Sequence, residues 1–116
     1  MNMKDQIRVL KAAKKCDLRV YQSRTTNGSR CVRLLYNKFG DSILFDPLLD
    51  IGQAMDMLIH LGGTLVINNK EKSCAAYITT EKNSKASVVG SWRSNGKNKK
   101  KNICNAIINC ILRLDE

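Results

Sequence analysis

The stretch SNGKNKKKNICNAIINCIL at residues 94–112 holds the densest set of chemistry-bearing residues in the chain. Lys97, Lys99, Lys100 and Lys101 stand just ahead of, or in the first turn of, an amphipathic helix whose unpaired N–H groups already carry partial positive charge. A cation at that end costs a few tenths of a kcal/mol in an exposed helix, so the cluster is either a solvated loop before the cap or a surface that meets an anion. Phosphate would remove the penalty and use the free N–H groups.

The remaining reactive residues do not assemble into a catalytic set. His60 is the only histidine; it falls off the apolar stripe of its helix, near the C-terminus, and reads as an exposed surface residue. No Ser-His-Asp set, glycine-rich phosphate loop or zinc-hydrolase spacing can be built around it. Asp41, Asp46 and Asp50 lie close in sequence, but turn and capping roles account for them. The five cysteines (Cys16, Cys31, Cys74, Cys104, Cys110) form no C-x-x-C pair and read as reduced thiols, mostly small core residues. Cys104 and Cys110 point about 120° apart on a helix, which argues against a bridge. Cys104, beside lysines at a helix start, has the best case for a lowered pKa, set against a buried structural thiol. The expectation is a non-enzymatic protein with no metal and no cofactor.

Net charge is +10, distributed as +8 over 1–38, −4 over 39–81, +7 over 82–101 and −1 over 102–116. Two basic segments converging on one face would make a footprint for a polyanion; the alternative is lysine-rich loops that only maintain solubility. The candidate binding residues are Arg93, Lys97, Lys99, Lys100 and Lys101 as one patch. Arg19 and Arg30 extend it from a hairpin, with Arg33 on the opposite strand face from Arg30. Trp92 and Tyr77 are candidate base-stacking groups, with core or strand-pair duty as the competing reading.

These residues need elements to hold them. Met3, Ile7, Leu10 and Ala13 recur at helical spacing over 3–15. Leu18–Ser23 and Cys31–Asn37 alternate as strands about the hairpin signal Asn27-Gly28, and a short run Ile43–Phe45 follows. Asp50 caps a helix over 51–61 with Ile51, Ala54, Met55, Leu58 and Leu61 on one stripe, closed by Gly62-Gly63. Thr64–Asn68, Cys74–Thr80 and Ala86–Trp92 read as an antiparallel meander. The last helix, about 102–114, carries Ile103, Ala106, Ile107, Cys110, Ile111 and Leu114 on one side and Asn102, Asn105 and Asn109 on another. The fold class is therefore α+β, an antiparallel sheet with packed helices in the order αββ(β)-αβββ-α. Residues 1–116 read as one domain, with a helix plus hairpin over 1–45 and an αβββα unit over 46–116. No apolar run approaches the roughly 20 residues that cross a bilayer, and MNMKDQIRVLKAAKK lacks a signal peptide's apolar block, so an intracellular location without membrane contact is expected.

The αβββα order over 50–114, with Gly96, Asn98, Lys99, Lys100 and Ala106 in matching spacing, resembles a double-stranded RNA-binding domain. That resemblance implies lysines gripping phosphates across the RNA major groove. The chain departs from the family pattern at Asn102 and Ile103, and it carries NNKEKS where the family has its minor-groove loop.

A second likeness covers FDPLLDIGQAMDMLIHLG (45–62) and NICNAIINCILRL (102–114). Phe45, Asp46, Pro47, Asp50, Ala54, Ile103, Cys104 and Ala106 resemble the pattern of the phage ABA-sandwich family of small phage proteins. It implies a phage accessory protein acting in the cytoplasm of a bacterial host, in the manner of an anti-CRISPR-like inhibitor of host defence. The expected partner is nucleic acid or a host nucleoprotein or defence complex, with a homodimer as a further candidate assembly. The competing functions are a protein–protein inhibitor without nucleic-acid contact, a nucleotide-signal sponge and a double-stranded RNA-binding module.

Overall fold

The computed structural model describes residues 1–79 and 98–114, and the backbone of the strand at 84–89. The chain divides into two compact units, Met1–Asp46 and Pro47–Glu116. The first holds α1 (Met3–Lys15), β1 (Val20–Arg24), β2 (Arg30–Leu35) and β3 (Ser42–Leu44). The second holds α2 (Ile51–His60), β4 (Thr64–Asn68), β5 (Ser73–Thr79), β6 (Ser84–Val89) and α3 (Lys99–Leu112). The fold is α+β, as the sequence patterns indicate. Its strands form two three-stranded antiparallel meanders, β1-β2-β3 and β4-β5-β6.

In the first unit, α1 starts at Asn2, whose side chain accepts the Asp5 N–H at 2.7 Å. Asp5 in the first turn and Lys14 and Lys15 in the last both suit the helix dipole. The buried stripe differs from the one expected. It runs through Gln6, Val9, Ala12, Ala13 and Cys16, while Met3 and Ile7 are 54% and 44% exposed. The small residues Ala12, Ala13 and Cys16 let the helix pack closely on β1 and β2. Gln6 can be buried because its Nε2 donates to the Cys31 carbonyl at 2.9 Å.

Asn27-Gly28 does close a hairpin, as a three-residue loop with a bulge. Gly28 N–H donates to the Thr25 carbonyl and Thr25 N–H to the Ser29 carbonyl, each at 2.9 Å, with Gly28 at φ 86°. The third strand is held to the second by Arg33, which donates from Nε to Ser42 Oγ at 2.8 Å and from its terminal nitrogen to the Ser42 carbonyl at 3.0 Å.

In the second unit, Asp50 Oδ1 accepts the Gln53 N–H at 3.0 Å and caps α2. The helix ends in a Schellman motif: Gly63 N–H donates to Leu58 O at 2.8 Å and Gly62 N–H to Ile59 O at 2.9 Å, with Gly62 at φ 71°. Gly63 allows a close approach, since a Cβ there would lie 2.9 Å from the Tyr77 carbonyl oxygen and against the Leu58 side chain.

α3 packs on β5, β6 and α2. Being covered on more than one side widens its buried surface beyond the expected stripe, adding Cys104 and Ile108 to Ile103, Ala106, Ile107, Cys110 and Ile111. On β5, Cys74, Ala76 and Ile78 are buried while Tyr77, on the alternate face, is exposed. All five cysteines are buried thiols. Among the described residues, no helix is long and apolar enough to cross a membrane.

Candidate nucleic-acid interface

The last helix begins three residues before the expected 102, at Lys99. Asn98 precedes it in the left-handed conformation (φ 71°, ψ 4°), so its side chain makes no capping bond, and only its carbonyl engages the helix, accepting the Asn102 N–H at 2.9 Å. Lys99, Lys100 and Lys101 therefore form the first turn itself, where no acidic residue stands. Successive helical residues are about 100° apart, so the three lysines fan over about 200° and ring the helix end. Lys100 and Lys101 are exposed and Lys99 half-buried.

Lys99 is held in place by a neighbouring loop. Its Nζ donates to Asn69 Oδ1 at 2.8 Å. Asn69 opens the β4–β5 loop, which also carries Lys70, Glu71 and Lys72; Glu71 N–H donates to Asn68 Oδ1 at 3.0 Å, and Lys72 takes φ 53°. The loop that carries Lys70 and Lys72 is thus tied to the basic end of α3, although NNKEKS reads from sequence only as a polar turn. The signal for their placement is topological. In an antiparallel meander the third strand finishes at the end where the first loop sits, and the pairing Cys74↔Val89 places the exit of β6 beside the start of β5.

The other candidate residues are distributed differently. Arg93, Lys97 and Trp92 lie outside the described residues. Arg19 and Arg30 belong to the first unit. Arg19 is exposed, its carbonyl accepting the Leu35 N–H at 2.9 Å; Arg30 opens β2 directly opposite Arg24. Arg33 faces the other way from Arg30 and is engaged with Ser42. Tyr77 is 43% exposed but on the sheet face away from α3, so it does not join the lysines. His60 is exposed in the last turn of α2. Asn102, Asn105 and Asn109 are half-buried, with Asn105 Nδ2 donating to the Lys101 carbonyl at 3.0 Å.

Electrostatically the site offers cations and backbone N–H groups. Cys104, the thiol nearest the helix start, is fully buried. Elsewhere, burial and the neighbouring Asp17 push the Cys16 thiol up to about 11, and burial pushes Cys74 up as well. Asp50 is spent on capping, and Asp41 accepts from Asn37 Nδ2 at 2.8 Å. Among the described residues, no group of three His, Cys, Asp or Glu side chains could hold a metal ion. The arrangement can bind an anion by charge and hydrogen bonding. Comparison with family models, curated proteins and solved structures finds no match to this chain.

Proposed function

We propose that the protein is a small non-enzymatic binding protein that contacts a polyanion, as nucleic acid or within a nucleoprotein complex, through the basic end of α3. The observation that carries this reading is the first turn of α3: three consecutive lysines, no acid and no side-chain cap, with one lysine tied to a loop that brings two more. The N-terminal N–H groups of a helix and several ammonium groups at one end suit phosphate, which offsets the cost of placing lysines there. Phosphate contacts of this kind position a nucleic acid without reading its sequence. The likeness to double-stranded RNA-binding domains at Asn98, Lys99, Lys100 and Ala106 supports a duplex backbone as target.

The likeness of Phe45-Asp46-Pro47 and Ile103–Ala106 to small phage proteins supports a role in phage accessory function. In that role the protein is an inhibitor that occludes a host defence nucleoprotein complex within the bacterial cell. Fluorescence-anisotropy titration with duplex RNA, duplex DNA and single strands tests the reading and ranks the substrates. Binding is expected for the wild type and lost when Lys99, Lys100 and Lys101 are all alanine. Absence of binding to any of these nucleic acids would overturn the polyanion reading and favour docking on a protein surface.

A further inference from the structure

A second place gathers unneutralised positive charge, in the first unit and independent of α3. A pocket of about 230 Å³ is lined by Gln6, Gln22, Ser23, Arg24 and Arg30. Every lining residue is polar, and none is acidic. Arg24 and Arg30 face each other directly across β1 and β2. Because Thr25 and Ser29 make the hydrogen-bonded pair next to them, the two arginines form a non-hydrogen-bonded pair, the type whose side chains lie closer. Like charges directly opposite on a ladder are destabilising. Neither guanidinium forms an ion pair with a described residue: Arg24 donates to the Gly28 carbonyl at 2.8 Å, and the half-buried Arg30 side chain makes no hydrogen bond to a described residue.

The pocket also has a fixed wall. Gln6, only 4% exposed, is locked by its bond to the Cys31 carbonyl. Gln22 stands two residues from Arg24 on the same strand face, which aligns an amide with the arginine pair.

We infer that this pocket binds a phosphomonoester, the terminal phosphate of a nucleotide or of a nucleic-acid end. The charge and geometry select that group. Two guanidinium forks present two positive charges, matched by a phosphomonoester that carries about −1.5 to −2 at pH 7 with three acceptor oxygens. A carboxylate has one charge and two oxygens and satisfies one fork. The volume lies below the roughly 300–1,000 Å³ of whole-ligand sites, so the pocket takes the phosphate and its immediate substituent and leaves the base outside.

Calorimetric titration separates the sources: inorganic phosphate, adenosine 5′-monophosphate, adenosine, and a tetranucleotide with either a 5′-phosphate or a 5′-hydroxyl. With Lys99, Lys100 and Lys101 replaced by alanine, so that the phosphodiesters have no α3 site, saturable binding is expected for the two phosphate-bearing nucleotides, with adenosine and the 5′-hydroxyl strand silent. Inorganic phosphate is expected to bind more weakly than the monophosphate. A preference for the tetranucleotide identifies a strand end, and equal affinity identifies a free nucleotide. Arg30→Gln is expected to weaken binding by roughly tenfold or more. Arg24→Gln, a change at an exposed side chain, provides the same test if the first variant fails to fold. The Lys99, Lys100, Lys101 triple alanine variant should bind the monophosphate as wild type does, which keeps failure of this site distinct from failure of the α3 reading. No saturable binding, equal binding of adenosine, or wild-type affinity in a folded Arg24→Gln variant would overturn the inference.

Discussion

Lys99 Nζ donates to Asn69 Oδ1 at 2.8 Å, joining the first turn of α3 to the β4–β5 loop across thirty residues of sequence. That bond ties the basic end of the helix to a second segment, the loop that carries Lys70 and Lys72. Replacing Asn69 by leucine should leave the fold intact and weaken polyanion binding, because the loop lysines are then no longer held at the helix end. Anisotropy titration of the variant, paired with circular dichroism, checks both halves.

The charge at α3 should also act in opposite senses on stability and binding. Lys100→Gln and Lys101→Gln remove cations from the positive end of the dipole, so each should stabilise the free protein by about 0.3–1 kcal/mol at low salt. The same variants should bind nucleic acid less tightly. Urea unfolding at two ionic strengths measures the first effect, which should shrink as salt rises.

Gly63 is fixed by space. A methyl group there would press on the Leu58 side chain and stand 2.9 Å from the Tyr77 carbonyl oxygen, so Gly63→Ala should destabilise by about 1–3 kcal/mol. Thermal or urea unfolding of the purified variant gives the value. An unchanged midpoint would contradict the packing at the end of α2.

Gln6 is the buried polar residue on α1, and its Nε2 satisfies the Cys31 carbonyl. Gln6→Ala removes this bond, made to a carbonyl that also belongs to the hydrogen-bonded Ser23–Cys31 ladder pair, and should cost about 0.5–1.5 kcal/mol by urea unfolding. Gln6→Leu, which fills the space without the donor, should not rescue it.

Alkaline pH should destabilise the protein through Cys16. Its folded pKa is raised from 9.0 to about 11 by burial, then Asp17, so the neutral thiol is the form the fold favours. The stabilisation is fully present below pH 9 and is lost as pH rises through about 11. Cys74 shifts in the same direction. Urea midpoints between pH 8 and 11 should fall, and the fall should be smaller in Cys16→Ala.

Local signals in the chain are legible where a side chain or a glycine closes its own turn. The N-cap at Asp50, the hairpin at Asn27-Gly28 and the Gly62-Gly63 stop all depend on neighbours within a few residues. The orientation of α1 is not legible, because Met3, Ile7 and Leu10 repeat as cleanly as Gln6, Val9 and Ala12. Small side chains and one satisfied amide decide which stripe turns inward. The start of α3 is hidden for a different reason: its cap is a left-handed asparagine without a capping bond, and three lysines resemble a loop. Of the candidate site, Lys99, Lys100 and Lys101 are visible in the sequence, whereas Lys70, Lys72 and the Arg24–Arg30 pair depend on strand register.

The most direct test of polyanion contact through α3 is the salt dependence of duplex RNA binding, measured for the wild type and the Lys99, Lys100, Lys101 triple alanine variant. Log affinity should fall linearly with log salt, and the variant's slope should be shallower by about 0.9 for each phosphate that the lysines no longer neutralise. Equal slopes and equal affinities in the two proteins would contradict it.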